Sequence, residues 1–93
     1  MIGKKVIIRA DRAGVFFGTL KEKLGSEVTL TDCRRLWYWS GAASIFQLAM
    51  EGTKRARDCK FTVTVPIITI LGVIEIIPCT EEAIKSIEVW KIR

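Results

Sequence analysis

The sequence contains no histidine, so the side chain that most often serves as a general base and as a metal ligand is missing. Only 3 cysteines are present, and no two of them form a CxxC pair. A zinc site of the usual kind and a disulfide framework are therefore not expected. Glycine-rich phosphate loops, nucleophile elbows and acidic metal-binding loops are missing as well. We expect a protein that is not an enzyme and that uses neither a cofactor nor a metal.

Long apolar runs are also lacking. The best candidate, residues 61–80, carries no charge from Phe61 to Ile74 but is interrupted by Pro66 and Glu75. A helix that spans a membrane needs roughly 20 apolar residues, so two buried strands fit this segment better. We expect neither a membrane partner nor a signal peptide. The odd cysteine count favours a reducing compartment, so the expected location is the cytoplasm.

The composition that is present favours self-association and an anionic partner. The chain has 93 residues, enough for one domain spanning 1–93, and 49% of them are apolar. A domain this small cannot bury so much apolar surface in its own core. We therefore expect a homo-oligomer, in which subunits bury the remaining apolar surface against each other. The net charge of +5 favours a nucleotide or a nucleic acid, although it would also keep an apolar protein from aggregating.

Strand periodicity dominates the first half of the chain. Residues 4–9, 14–23 and 27–39 alternate between apolar and polar positions, which predicts a three-stranded antiparallel meander. Gly18 interrupts the second strand, and a glycine there indicates a bend or a close approach of two backbones. Gly25 provides the positive φ for a tight hairpin between the second and third strands.

A helical period follows at residues 42–51, with Ser44 or Ser40 as candidate N-cap and Gly52 after the last turn. Two further strands are predicted on either side of Pro66.

Thr80 then caps a short turn or helix that has Glu81 and Glu82 in its first turn. Residues 88–92 alternate again and are predicted to close the sheet. The fold class is mainly β (α+β): a small SH3/Sm-like antiparallel β-barrel of five to six strands with one inserted helix at about 42–51.

The stretch "VFFGTLKEKLGSEVTLTDC", residues 15–33, resembles the first half of an Sm-like domain. It combines a curled strand that holds a glycine, a hairpin, and a strand of the form E-V-x-L. The resemblance implies barrels joined edge to edge in rings that bind RNA or nucleotides. The second Sm signature, a strand-turn-strand with Arg-Gly, is missing from this chain.

The chain also resembles a family of short phage-encoded proteins of unknown function. The matching segments are "VIIR" with "AGVFFGTL" near the start, "RRLWYWSGAAS" in the middle and "IEIIPCTEEA" near the end. This resemblance implies a phage source and the cytoplasm of a host cell. Some small β-rich phage proteins, those that counter the Thoeris and CBASS defences, form oligomers that sequester cyclic nucleotide immune signals.

The block "RRLWYWSG", residues 34–41, is the main candidate site, because aromatic rings stack on bases and arginines bind phosphates. In a strand, Arg34 and Tyr38 lie on one face, and Trp37 and Trp39 lie on the other. If the first face is open, Arg34 and Tyr38 are the ligand pair and the two tryptophans are the scaffold. The competing interpretation places both tryptophans beneath the helix, in a core or a subunit interface.

The basic segment "TKRARDCK", residues 53–60, carries Lys54, Arg55, Arg57 and Lys60 and is a candidate for nucleic-acid contact. The competing interpretation is a solvated face, since the segment lacks interleaved aromatics.

Three other residues complete the set of candidates. Arg9 and Arg12 flank a turn that would give a basic ring at the rim of an oligomer, although an ordinary hairpin with a local Asp11–Arg12 pair is the competing interpretation. Phe16 and Phe17 are consecutive on a strand, so one is expected in the core. The other, with Phe17 as the candidate, would be available for an interface or for stacking.

These observations favour a non-catalytic, oligomeric phage protein that captures an anionic nucleotide-type ligand. Its concrete form is an anti-defence protein that sequesters cyclic nucleotide immune signals. The alternatives are an Sm-like module that binds RNA or single-stranded nucleic acid, and an inhibitor that docks on a host protein.

Overall fold

The computed structural model describes residues 1–39, 41–42, 44–55 and 58–88. The elements follow one another in the order β1 (Lys5–Ala10), β2 (Gly14–Leu24), β3 (Glu27–Tyr38), α1 (Ile45–Glu51), β4 (Lys60–Phe61), β5 (Val65–Ile70), β6 (Val73–Pro78) and α2 (Glu81–Glu88). The described pairings are antiparallel. The predicted mainly β fold is confirmed.

The predicted meander forms the centre of the sheet. The strands lie in the order β4-β3-β2-β1-β6, and β5 pairs with β3 beside β4. Gly25 takes a φ of 60° in the tight turn between β2 and β3, as its position in the sequence predicted.

The sheet is curled but not closed into a barrel, which corrects the expected closure. Strands β5 and β6 lie at opposite ends of the strand order, yet Leu71 and Gly72 alone connect them. The two edges must therefore approach each other. Backbone hydrogen bonds from the β5–β6 turn connect it to two other turns. The amide of Val73 donates to the carbonyl of Ser26, and the amide of Asp11 donates to the carbonyl of Gly72. No ladder joins β5 to β6 in the described part of the chain.

Pro66 lies inside β5 instead of separating two strands. Strand β5 begins at Val65, and the break that the sequence placed at Pro66 occurs earlier, between Phe61 and Val65. Proline is tolerated here because β5 is an edge strand and one side of it needs no donor.

Both helices begin at the predicted caps. The Ser44 hydroxyl accepts a hydrogen bond from the amide of Gln47 at 3.2 Å, and Gly52 ends α1 with a φ of 74°. The Thr80 hydroxyl accepts from the amide of Ala83 at 3.2 Å at the start of α2. Ser40 lies outside the described residues, as do residues 89–93 and with them most of the predicted closing strand.

The sheet is covered on both faces. One apolar cluster fills the concave side of the curl and includes Val6, Ile8, Phe16, Leu20, Val28, Leu30 and Cys33. The other lies between the sheet and the two helices and includes Ile7, Phe17, Leu36, Leu48, Phe61 and Ile87. No helix within the described ranges is long and apolar enough to cross a membrane.

Gly18 is where the second strand bends. The pairing of β2 with β3 shifts register between Phe17 and Thr19. A Cβ added at Gly18 would lie 3.1 Å from the carbonyl oxygen of Thr31 and 3.2 Å from the Cα of Cys33. These are backbone atoms, which do not move aside as a flexible side chain would.

We therefore expect Gly18→Ala to lower the free energy of unfolding by about 1 kcal/mol, and Gly18→Val by more, because the added atoms press on β3. Urea denaturation followed by circular dichroism measures the change. Lys21→Ala, an exposed change in the same strand, is the control and should stay within about 0.5 kcal/mol of the parent. Unchanged stability in Gly18→Ala would contradict the close packing.

Candidate ligand-binding site

Arg34 is buried, with 5% of its surface exposed. Its guanidinium donates to the carbonyl oxygens of Thr62 and Ile87, each at 2.9 Å, and to that of Phe61 at 3.5 Å. Burial lowers the pKa of this group. The side chain thus connects β3 to β4 and to the last turn of α2. The competing interpretation of the block also expected both arginines to be solvated, which is wrong for Arg34 but agrees with the exposure of Arg35.

Replacing Arg34 with methionine should reduce stability by about 3 kcal/mol, because buried carbonyls lose their donors while the apolar stem is largely kept. The urea midpoint measures the loss. Arg12→Met removes an exposed arginine and should change the midpoint little. If the two variants unfolded at the same urea concentration, the structural role of Arg34 would be refuted.

The end of β3 departs from regular alternation at Trp37. Leu36 pairs with Phe61, but the next pair is Tyr38 with Lys60, so β3 has one more residue than β4 between the two pairs. This is a β-bulge, which leaves one residue unpaired and changes the direction of the side chains around it. The rule that consecutive residues point to opposite faces therefore fails at Trp37 and Tyr38.

The bulge brings both aromatic side chains to one surface. Trp37 and Tyr38 are 58% and 51% exposed, and together with Lys60 they line an open cavity of about 370 Å³. The ammonium of Lys60 lies 4.9 Å from the centre of the Trp37 ring. Lys60 forms no ion pair with any residue in the described ranges. We call Trp37, Tyr38 and Lys60 the aromatic site.

Two other predicted residues of the block lie elsewhere. Trp39 is half-buried and packs against the cluster beneath the helices, as the scaffold interpretation expected. Arg34 is buried and Tyr38 is exposed, so the two do not meet on one open face. The pattern of even positions failed because α2 covers the sheet at Arg34, whereas the bulge turns Tyr38 to the open surface.

Phe17 is buried, and so is Phe16, so the expectation that one ring remains at the surface is wrong. The two rings point to opposite faces of β2, and apolar clusters cover both faces. Phe17 is therefore a core residue, and the ammonium of Lys5 lies over its ring, 5.6 Å from the ring centre.

Arg9 and Arg12 are not part of the aromatic site. Arg9 donates to the carboxylate of Glu75 at 2.7 Å, across the pairing of β1 with β6. Arg12 is exposed in the following turn and lines a separate open cavity of about 500 Å³ with Leu71 and Gly72. The expected Asp11–Arg12 ion pair does not form.

The sequence placed Lys60 in a basic segment and Arg35 in the aromatic block, but it paired neither cation with an aromatic ring. Lys60 ends a basic segment, residues 53–60, that also contains Arg57, which lies outside the described residues. A β-bulge leaves no reliable pattern in one sequence, so nothing indicated that Lys60 would face Trp37.

The thiols of Cys33 and Cys79 are poorly suited to nucleophilic chemistry. Burial raises the pKa of Cys33 to about 12, an effect that the nearby charge of Arg35 only partly offsets. Burial likewise raises the pKa of Cys79 to about 12. Both thiols therefore stay protonated at neutral pH. Among the described residues, no group of three or more His, Cys, Asp or Glu side chains is arranged to hold a metal ion.

Comparison with known proteins identifies a family but no activity. No curated protein and no solved structure matches the chain significantly. A family model described as "Domain of unknown function (DUF6948)" matches residues 3–87, which include every described strand and helix except the last residue of α2. The chain therefore belongs to the DUF6948 family.

Proposed function

We propose that the protein binds an anionic nucleotide-type ligand at the aromatic site and releases it unchanged. The supporting observation is the pair of half-exposed rings, Trp37 and Tyr38, beside the ammonium of Lys60. Large aromatic side chains are usually hidden, and here the bulge exposes two next to a cation that forms no ion pair with the described residues.

The chemistry of the three side chains fits a base that carries a phosphate. Stacking of a base on an aromatic side chain contributes roughly 1–3 kcal/mol, and it requires an accessible ring face. A base that stacks on Trp37 or Tyr38 would have its phosphate within reach of Lys60. Stacking and charge attraction would therefore act on the same ligand.

The concrete form of this proposal is a phage-derived protein that sequesters cyclic nucleotide immune signals in the cytoplasm of the host. The resemblance to short phage-encoded proteins supports it, together with the exposed rings. A module that binds single-stranded nucleic acid is the second candidate, since exposed rings beside cations also hold successive bases.

We expect Trp37→Ala and Lys60→Ala to lower nucleotide affinity by about tenfold each, because each removes roughly 1.4 kcal/mol of stacking or charge attraction. Isothermal titration calorimetry with the four mononucleotides, cyclic di- and trinucleotides and cyclic ADP-ribose isomers measures it. Lys21→Ala, which removes the same charge from an exposed position of β2, is the control and should bind like the parent.

Two outcomes would redirect or refute the proposal. Binding to none of these nucleotides would refute it. Tight binding to single-stranded oligonucleotides alone, with an affinity that falls steeply as salt is added, would favour the nucleic-acid module, because several phosphate contacts then release counterions.

The two open edges of the sheet support the proposed homo-oligomer. Strand β5 pairs only with β3 and strand β6 only with β1 in the described part of the chain. The side chains of Ile67, Leu71 and Ile74 are exposed on or between these strands. Charges and prolines usually protect edge strands from pairing. Pro66 removes one donor from β5, but most other residues of β5 and β6 keep the backbone groups with which an open edge pairs with another chain. Pairing of β5 in one copy with β6 in the next would cover both.

Light scattering after size-exclusion chromatography should therefore give a mass that is a multiple of 10.5 kDa. The double variant Ile67→Lys/Ile74→Lys should shift the mass to that of a monomer, since charged edges resist pairing. Leu24→Lys changes an exposed apolar residue at the β2–β3 hairpin instead and should leave the mass unchanged. A monomeric parent protein would refute the assembly.

A further inference from the structure

A second cavity lies along β3, the strand that also provides the two rings of the aromatic site. Its volume is about 270 Å³, and its floor is the buried ring of Phe16. The remaining lining comes from the end of β3, from β5 and from the chain between β4 and β5, with residues Cys33, Arg35, Thr62, Val63, Val65 and Ile68. It is apolar except for Arg35 and Thr62, and it belongs to no function described above.

Arg35 lines this cavity, and its guanidinium lies over the ring of Phe16. Its Cζ lies 4.9 Å from the centre of the Phe16 ring. A guanidinium on a ring keeps its N–H edge available for a phosphate and its outer face available for a base. Within the described ranges Arg35 forms no ion pair, which is also true of Lys60. Each cavity is thus lined by at least one aromatic ring and by one such cation.

The strand register sets the distance between the two cavities. Arg35 lies two residues before Trp37 on β3, and Thr62 lies two residues after Lys60. The amide of Thr62 donates to the carbonyl of Arg35 at 3.0 Å, which fixes the two strands against each other. Two residues of a strand span about 7 Å. This distance is comparable to the separation of neighbouring bases on an extended, unstacked nucleotide chain.

We infer that the ligand is a dinucleotide, with one base on the aromatic site, the other in the cavity above Phe16, and the linking phosphate on Arg35. This inference rests on the proposed function and specifies its ligand. A mononucleotide uses only Trp37, Tyr38 and Lys60. A dinucleotide gains a second apolar enclosure and a second cation without any movement of the backbone.

The test compares 5′-phosphorylated homodinucleotides with the mononucleotides of the same base by isothermal titration calorimetry. A second enclosed base contributes roughly 1–3 kcal/mol, so the dinucleotide should bind at least about tenfold more tightly. Arg35→Ala removes the phosphate contact. Val63→Trp fills the mouth of the cavity from an exposed position, so the core is not disturbed.

Both variants should abolish most of the dinucleotide's advantage and leave mononucleotide affinity within about twofold of the parent. Lys21→Ala, with the same charge change as Arg35→Ala, should keep the advantage. The urea midpoint of each variant verifies that it is folded.

The failures of the two proposals are distinguishable. Equal affinity for mono- and dinucleotides, or an equal loss of affinity for both in Arg35→Ala, would refute the second base site above Phe16. Neither result would contradict binding at the aromatic site. If mononucleotides and dinucleotides both fail to bind, or if Trp37→Ala binds them like the parent, the proposed function itself is wrong and the inference is wrong with it.

Discussion

The buried guanidinium of Arg34 is the interaction on which the arrangement of the second half of the chain depends. It reaches three backbone carbonyls from two separate segments, the β4 region and the last turn of α2. A charged group in a protein interior is tolerated only when its donors are satisfied, so the positions of these carbonyls are tightly specified. Because β4 is fixed in this way, Lys60 is held in place beside Trp37.

Much of the fold could be predicted from local patterns. The meander, the Gly18 bend, helix α1 with its Ser44 cap and the Thr80 cap all depend on residues close together in sequence. The prediction that Pro66 separates two strands was wrong because proline is excluded only from central strands. A single sequence does not reveal which strand lies at an edge. The predicted closure of the barrel was wrong for a similar reason. Closure requires hydrogen bonds between edge strands, and local sequence patterns do not show whether two edges pair.

The two exposed rings of the proposed site belong to the block that the sequence indicated, but the rule of alternation assigned the faces of its side chains incorrectly. A bulge of one residue inverts the face of everything that follows it, and nothing in "RRLWYWSG" indicates its presence. The burial of Arg34 could not be predicted from the sequence either. Its partners are backbone carbonyls, and every residue has one, so no residue type marks them. The partner that matters for Trp37, Lys60, is 23 positions away and was identified only as part of a basic segment.

Apolar clusters pack against both faces of the sheet, and this limits where substitutions can alter binding without altering the fold. The ligand site that we propose therefore lies at the rim of the sheet, where Arg35, Trp37, Tyr38 and Lys60 are all exposed. Exposed positions contribute little to folding, so residues there can be exchanged at almost no cost in stability. Under the proposed function, the residues that select a ligand are therefore energetically separate from those that hold the fold, and altered rim residues would select other ligands on an unchanged core.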